Sequence, residues 1–172
     1  MTSQANGTTP TNVVSATRFD RVAEAYDLPL LAGCRVILVG LGGARAYGEE
    51  LARAGVQDFV IIDPDTVSLP NIGTQQVYSD EVGLFKGDCL ANAIRRINPD
   101  ASVLAVNRSL DDIDDAEFET FLTRPIGNDT QAPPPRERIL LCGLTDNFPA
   151  QVRINRLGLQ FGVATMCAQV YH

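Results

Sequence analysis

A glycine-rich turn is the first feature of the sequence that could do chemistry. The turn contains Gly40, Gly42 and Gly43 and follows the run Arg35–Val39, which is apolar after its first residue. A helical pattern over residues 44–54 comes directly after the turn. Gly40 permits a tight turn out of a strand, and Gly42 and Gly43 let the backbone approach a ligand closely. The free N–H groups at the start of the helix then favour an anion. The spacing therefore predicts a phosphate-binding turn, which does not distinguish ATP from NAD or FAD.

An acidic residue lies where the sugar of a nucleotide would be held. Asp63 follows the second predicted strand, Asp58–Ile62. In nucleotide-binding folds a carboxylate at this point accepts hydrogen bonds from ribose hydroxyls. The segment Asp63-Pro64-Asp65 also favours a turn, so a purely structural role for Asp63 stays open.

The charged residues argue against some classes of function. The chain has 172 residues and a formal net charge of -7. A surface that holds a nucleic-acid backbone needs clustered Lys and Arg, so the composition argues against a nucleic-acid partner. The only histidine is the last residue, His172, which argues against acid–base catalysis by histidine. A small anion remains possible, because backbone N–H groups and one or two cations suffice to hold it.

Apolar runs alternate with helical patterns along most of the chain. The runs predict five strands, over residues 35–39, 58–62, 102–106, 138–142 and 163–168. The helical patterns cover residues 44–54, 86–97, 114–122 and 150–161. Strands buried on both faces that alternate with helices indicate a doubly wound, mainly parallel sheet with helices on both faces. We therefore predict an α/β domain over residues 16–172, after a disordered tail over residues 1–15.

The cysteines and the apolar runs indicate in which compartment of the cell the protein is expected. Cys34, Cys89, Cys142 and Cys167 form no C-x-x-C pair, so no zinc site is predicted. Buried structural thiols are expected instead, including Cys167 in the last strand. No apolar run approaches the roughly 20 residues that cross a membrane, and the N-terminus lacks the pattern of a secretory signal. We expect a cytoplasmic protein with no membrane partner.

The segment over residues 63–86 carries the most specific pattern in the chain. It combines Asp63-Pro64-Asp65-Thr66-Val67, Asn71-Ile72-Gly73-Thr74-Gln75 and Gly83-Leu84-Phe85-Lys86. Asn98-Pro99 and Thr145-Asp146-Asn147 follow in the same order as in a known family. These ordered motifs resemble the ThiF/MoeB/HesA family, whose ATP-binding core also occurs in ubiquitin-activating enzymes. The resemblance covers about residues 18–172 and implies a Rossmann-like domain.

The resemblance implies a particular reaction and a set of site residues. Its members use ATP and Mg²⁺ to adenylylate the C-terminus of a ubiquitin-like or sulfur-carrier protein with a Gly-ending tail, often as homodimers. Asp63 would hold the ribose, Lys86 the phosphates and Asp146 the Mg²⁺, and Arg21, or less well Arg18, would reach the γ-phosphate from a second subunit. The nucleotide site would comprise Gly40, Gly42, Gly43, Arg45, Asp63, Asp65, Asn71, Gln75 and Lys86.

Three positions depart from the family pattern. Arg45 replaces the usual third glycine of the turn, Thr74 replaces an arginine that supports the triphosphate, and Gln151 replaces a further arginine. One arginine is gained and one lost around a single expected ligand. We therefore hypothesise that Arg45 restores, from the glycine turn, the positive charge that is missing at Thr74.

Two other functions stay open on the sequence alone. Family members usually continue where this chain ends at His172, so the C-terminal half of the usual domain is expected to be missing. A non-catalytic remnant or regulatory partner of such an enzyme is therefore one alternative. An oxidoreductase that uses NAD(P) or FAD is the other, but a dinucleotide requires neither Lys86 nor Asp146.

Overall fold

A five-stranded parallel sheet forms the centre of the molecule, whose computed structural model describes residues 17–21, 23–126 and 132–168. The tail predicted over residues 1–15 lies outside the described residues. The strands are β1 (Arg35–Val39), β2 (Asp58–Ile62), β3 (Ser102–Val106), β4 (Ile139–Gly143) and β5 (Ala164–Cys167). Their order is β3-β2-β1-β4-β5, and every neighbouring pair is parallel. The order reverses direction between β1 and β4, which is where ligands bind in such sheets.

Helices cover both faces of the sheet, as the alternation of patterns predicts. They are α1 (Leu28–Ala32), α2 (Arg45–Ala54), α3 (Lys86–Ile97), α4 (Asp115–Thr123) and α5 (Phe148–Phe161). Side chains from α4 and α5 pack with Ile37, Val60 and Leu141 in one buried cluster. Side chains from α2 and α3 pack with Leu38 and Ile61 in the other. Successive strand residues thus point to opposite faces of the sheet. The parallel sheet with helices on both faces confirms the predicted Rossmann-like α/β fold.

The helix ends follow from local sequence. Gly55 has φ +115° and Gly162 has φ +65°, so each ends its helix in the left-handed conformation that glycine adopts without strain. The side chain of Asp114 accepts a hydrogen bond from the Glu117 N–H and so caps the start of α4. Within the described ranges no helix is long and apolar enough to cross a membrane.

A long connection between β2 and α3, which we call the strap (residues 66–85), leaves the sheet and returns to it. It contains two short 3₁₀ helices, Leu69–Gly73 and Ser79–Glu81. Its two ends are joined by backbone hydrogen bonds of 2.8 Å from the Val67 N–H to the Leu84 carbonyl and from the Gly83 N–H to the Val67 carbonyl. The strap therefore places Lys86, the residue after it, at the carboxyl edge of the sheet, next to the end of β2.

A buried arginine joins the opposite edge of the sheet to α4. The guanidinium of Arg35 makes two hydrogen bonds to the Asp58 carboxylate, of 2.9 and 2.7 Å. It also donates to the carbonyls of Phe121 and Arg124, at 2.7 and 2.9 Å. The Arg35 side chain is only 1% exposed, so its charge is tolerated because nearly every donor is used.

We predict that Arg35→Ala lowers the free energy of unfolding by about 3 kcal/mol, because it leaves a partly buried carboxylate and two carbonyls without this donor. Arg53 pairs with Glu49 and Glu50 on the surface, so Arg53→Ala is the control and should cost less than about 1 kcal/mol. Urea unfolding of both variants measures the difference. Equal losses would contradict the assignment of Arg35 to the core.

Candidate functional site

A cleft of about 1030 Å³ opens at the carboxyl ends of β1, β2 and β4. Its lining comes from the glycine turn, the end of β2, the strap, the loop after β3 and the turn after β4. The sequence-predicted residues that it brings together are Gly40, Gly42, Gly43, Asp63, Asp65, Gln75, Lys86 and Asp146. Those that lie outside its lining are Arg21, Arg45 and Asn71.

The glycine turn is tightly packed on one side and open on the other. Gly40 has φ +83°, and a Cβ built there would lie 2.7 Å from the Cβ and 2.8 Å from the Cα of Thr145. At Gly42 and Gly43 a Cβ would have no neighbour within 4 Å. Ala44, which precedes α2, provides no side-chain cap. The backbone of the turn is thus accessible at Gly42 and Gly43, and the start of α2 has no side-chain cap, as an anion-binding turn requires.

Asp63 ties the glycine turn to the end of β2. Its Oδ2 accepts a 2.6 Å hydrogen bond from the Leu41 N–H, and its Oδ1 accepts one of 2.8 Å from the Asp65 N–H. Burial raises the pKa of this carboxyl, and the two backbone hydrogen bonds only partly offset the effect. Asp63 therefore shapes the turn, and each of its oxygens keeps a further lone pair for a ligand hydroxyl.

Lys86 lies in the cleft wall as the first residue of α3. It is buried, with 8% exposure, and its Nζ donates a 2.9 Å hydrogen bond to Oδ2 of Asp65. The Asp65 side chain is 62% exposed, so it can turn away towards solvent. An ammonium group has three N–H donors, and this bond uses one. Two donors of Lys86 therefore remain for an anion in the cleft.

The strap contributes Gln75 to the cleft and uses Asn71 to shape its own turn. Oδ1 of Asn71 accepts hydrogen bonds from the backbone N–H and the hydroxyl of Ser68, both at 2.9 Å. The Asn71 carbonyl accepts from the N–H groups of Thr74 and Gln75, at 3.1 and 2.7 Å. Among the described residues Oε1 of Gln75 is buried without a partner. A ligand donor would satisfy that oxygen, whose isolation is otherwise costly.

The turn after β4 presents Asp146 to the cleft. Asn147 caps α5 through a 3.1 Å hydrogen bond from the Ala150 N–H to its Oδ1. Nε2 of Gln151 donates to the carbonyls of Thr145 and Gly143, at 2.7 and 3.2 Å. Gln151 thus replaces the expected arginine with a buried neutral amide that fixes this turn. Asp146 itself is exposed on the turn.

Several lining residues were not anticipated from the sequence. Ser109, Leu110 and Asp111 line the cleft from the loop after β3. Their signal was available, because they closely follow a predicted strand and carboxyl ends of parallel strands meet at one edge.

Within the described ranges no group of three His, Cys, Asp or Glu side chains is arranged to hold a metal. A Mg²⁺ ion that arrives with phosphates needs only one or two carboxylates, so Asp146 suits it.

Arg45 contacts the strap and not the cleft. Its Nε donates to Oε1 of Glu49 at 3.0 Å, and its Nη1 donates to Oε2 of Glu81. The guanidinium carbon lies 5.2 Å from the ring centroid of Tyr78. Two carboxylates neutralise this charge, so the geometry does not support the hypothesis that Arg45 replaces the charge missing at Thr74.

The other expectations outside the cleft concern the N-terminal arginines and Cys167. Arg18 donates to Asn98 and Asp100, which lie beside the amino end of β3, at the edge of the sheet opposite the cleft. Arg21 is exposed three residues later. Neither reaches the cleft within one chain. The expectation of a buried Cys167 was wrong, because this thiol is exposed at the end of β5.

We predict that Gly40→Ala destabilises the protein by about 2 kcal/mol, because it combines a positive φ with a clash against Thr145. The melting temperature should fall by about 4–8 °C in a domain of this size. Gly42→Ala is the matched control and should change stability by less than about 0.5 kcal/mol, since its Cβ enters open space. Equal melting temperatures for the two variants would show that the turn is not packed as described.

Comparison with known proteins agrees with this geometry. The model of the ThiF family matches residues 17–172. The chain is 43% identical over 127 residues to molybdopterin-synthase adenylyltransferase of Escherichia coli strain K12, which covers 73% of this chain and 45% of that protein. It is 33% identical over 121 residues to ubiquitin-like modifier-activating enzyme 5 of Drosophila pseudoobscura pseudoobscura, which covers 70% of this chain and 30% of that protein. The chain thus spans less than half the length of these relatives.

Solved structures show the same fold. The ATP complex of E. coli tRNA N6-threonylcarbamoyladenosine dehydratase superposes with a TM-score of 0.70 at 23% identity, covering 87% of this chain and 58% of that one. E. coli MccB superposes with a TM-score of 0.71 at 17% identity, covering 93% of this chain and 44% of that one. With the family match over residues 17–172, the conclusion is that this chain belongs to the ThiF family.

Proposed function

We propose that this chain binds ATP with Mg²⁺ and transfers the adenylyl group to the C-terminal carboxylate of a ubiquitin-like or sulfur-carrier protein. The observation that carries the proposal is the convergence of the glycine turn, Asp63, Lys86 and Asp146 on one cleft. The names of the relatives, a molybdopterin-synthase adenylyltransferase and a ubiquitin-like modifier-activating enzyme, support the same reaction class.

The cleft suits each part of the nucleotide. The open backbone at Gly42 and Gly43 and the uncapped start of α2 would hold the phosphates. The free lone pairs of Asp63 would accept the ribose hydroxyls. The unpartnered Oε1 of Gln75 would accept a hydrogen bond from the sugar or the base. The volume of the cleft, about 1030 Å³, is ample for a nucleotide.

The reaction asks little of the protein beyond positioning and charge neutralisation. A carboxylate oxygen of the carrier tail attacks the α-phosphorus, the bond from that phosphorus to the bridging oxygen breaks, and an acyl adenylate and pyrophosphate form. No proton is transferred, so a catalytic histidine is unnecessary. The ammonium of Lys86 would offset the charge on the phosphates. A Mg²⁺ ion held by Asp146 would neutralise the departing pyrophosphate.

The proposal extends to partners and location. Within one chain Arg21 lies outside the cleft lining. In a dimer, Arg21 of a second copy would add a cation to the nucleotide site. The four cysteines are free thiols, which suits a reducing, cytoplasmic compartment. One relative is a tRNA threonylcarbamoyladenosine dehydratase, 37% identical over 95 residues. The net charge of -7 favours a protein tail over an RNA as the substrate here.

We predict that Mg-ATP binds the purified chain and that Lys86→Met and Asp146→Asn each weaken binding at least about tenfold, or ~1.4 kcal/mol. Each removes a charge that acts on the phosphates or the metal. Calorimetric titration with Mg-ATP and with NAD measures the effect. Asp80→Asn is the matched control, because Asp80 is exposed on the strap and outside the cleft lining.

Exchange of labelled pyrophosphate into ATP, with and without a ubiquitin-like protein ending in Gly-Gly, tests the transfer step. Exchange that requires the carrier supports adenylylation. Mg-ATP binding without exchange would favour the non-catalytic alternative. Binding of NAD in preference to ATP would favour the oxidoreductase and contradict the proposal.

A further inference from the structure

We propose that Arg45 is a positioning residue: by binding Glu81 it holds the strap against α2, so that Gln75 and Lys86 face the cleft before a nucleotide arrives. The proposal rests on the proposed function for its ligand, ATP. It differs from a role for Arg45 as a phosphate-binding cation, because Arg45 lies outside the lining of the cleft.

The contacts of Arg45 connect two elements that are distant in the chain. It is the first residue of α2, immediately after the glycine turn. Its hydrogen bonds to Glu49 and Glu81 use two edges of the guanidinium, and its face lies against the Tyr78 ring. The Arg45 side chain is 6% exposed, and those of Glu49 and Glu81 are 17% and 16% exposed. Such shielded pairs are screened little by salt and hold a fixed geometry.

Glu81 also makes hydrogen bonds with backbone groups of the strap. Its Oε2 also accepts a 2.9 Å hydrogen bond from the Tyr78 N–H, and its carbonyl accepts one of 2.9 Å from the Leu84 N–H. Burial alone would raise the pKa of Glu81, but the hydrogen bonds from Arg45 and from the Tyr78 N–H lower it overall. Glu81 is therefore a carboxylate at neutral pH, and its position constrains the residues that lead to Lys86.

The strap has few other attachments along its middle. Its ends are joined to each other by backbone hydrogen bonds, and the N–H of Lys86, which follows it, donates to the Asp65 carbonyl. Val77 packs with Val67 and Cys89 in a small buried cluster. Large apolar side chains along it are exposed: Leu69, Ile72, Tyr78, Val82, Leu84 and Phe85. A segment with so little burial keeps its order mainly through specific polar contacts. The Arg45–Glu81 pair is such a contact, and it ties the strap to the phosphate-binding helix.

Loss of this contact should therefore appear in ligand affinity. Without it, binding of ATP must also order the strap, which reduces the free energy available for binding. Arginine suits the role because its planar group serves two carboxylates and an aromatic ring together, whereas a glycine at this position supplies no side chain. We expect Arg45→Met and Glu81→Gln each to raise the Kd for Mg-ATP about tenfold.

The decisive experiment combines hydrogen exchange without ligand and Mg-ATP titration of Arg45→Met, Glu81→Gln and the double variant. We expect faster exchange at the amides of residues 78–86 in all three, with β1 unchanged. The double variant should bind Mg-ATP no more weakly than either single variant, because all three remove one contact. Arg53→Ala, which removes an exposed arginine that also pairs with Glu49, is the control and should leave the exchange and the Kd unchanged.

Glu81→Gln separates the proposal from a direct effect of charge. If the charge of Arg45 acts on the phosphates, removing the Glu81 carboxylate frees that charge and tightens binding, which would overturn the proposal. Additive losses in the double variant, or unchanged exchange in the strap, would overturn it as well. If the parent binds no ATP, the proposed function fails, whereas the exchange rates still decide whether Arg45 orders the strap.

Discussion

The cleft depends first on one buried carboxylate. Asp63 accepts hydrogen bonds from the N–H groups of Leu41 and Asp65, and so joins the glycine turn after β1 to the chain after β2. Both are charge-assisted bonds in a buried setting, where they are stronger than in water. The price of this arrangement is a desolvated charge, seen in the raised pKa of Asp63. Together with the 2.9 Å hydrogen bond from the Gly40 N–H to the Ile62 carbonyl, it fixes the position of the glycine turn relative to the end of β2.

Charge around the cleft is unevenly distributed. Among its described lining residues Lys86 is the one cation, while Asp63, Asp65, Asp111 and Asp146 carry carboxyl groups. Thr74 and Gln151 are neutral, and Gln151 uses its amide to fix the turn that carries Asp146. Under the proposed function, backbone N–H groups, a divalent ion and a cation from a second copy would therefore carry most of the neutralisation of a triphosphate. A cleft with this excess of carboxyl groups would favour a metal-bound nucleotide over the free anion.

Arg45 shows how the same observation in the sequence is compatible with two different roles. An arginine gained at the glycine turn and one lost at Thr74 suggest compensation when only positions along the chain are known. The fold brings Glu81 of the strap and Glu49 of α2 to the same guanidinium, so its charge is neutralised before any ligand binds. The cation therefore joins two walls of the site instead of entering it.

The sequence by itself determined the five strands, the parallel sheet, the glycine turn and Asp63, Gln75, Lys86 and Asp146 as residues of one cleft. The strands, the sheet, the glycine turn and Asp63 follow from local rules, since burial on both faces gives apolar strands and parallel strands present their carboxyl ends at one edge. Gln75, Lys86 and Asp146 follow from the resemblance of their motifs to the ThiF/MoeB/HesA family. Only the tertiary structure decided what the side chains of Arg45, Asn71 and Gln151 contact. In each case the outcome depended on the direction in which a side chain points and on which distant element meets it, and no local pattern encodes that.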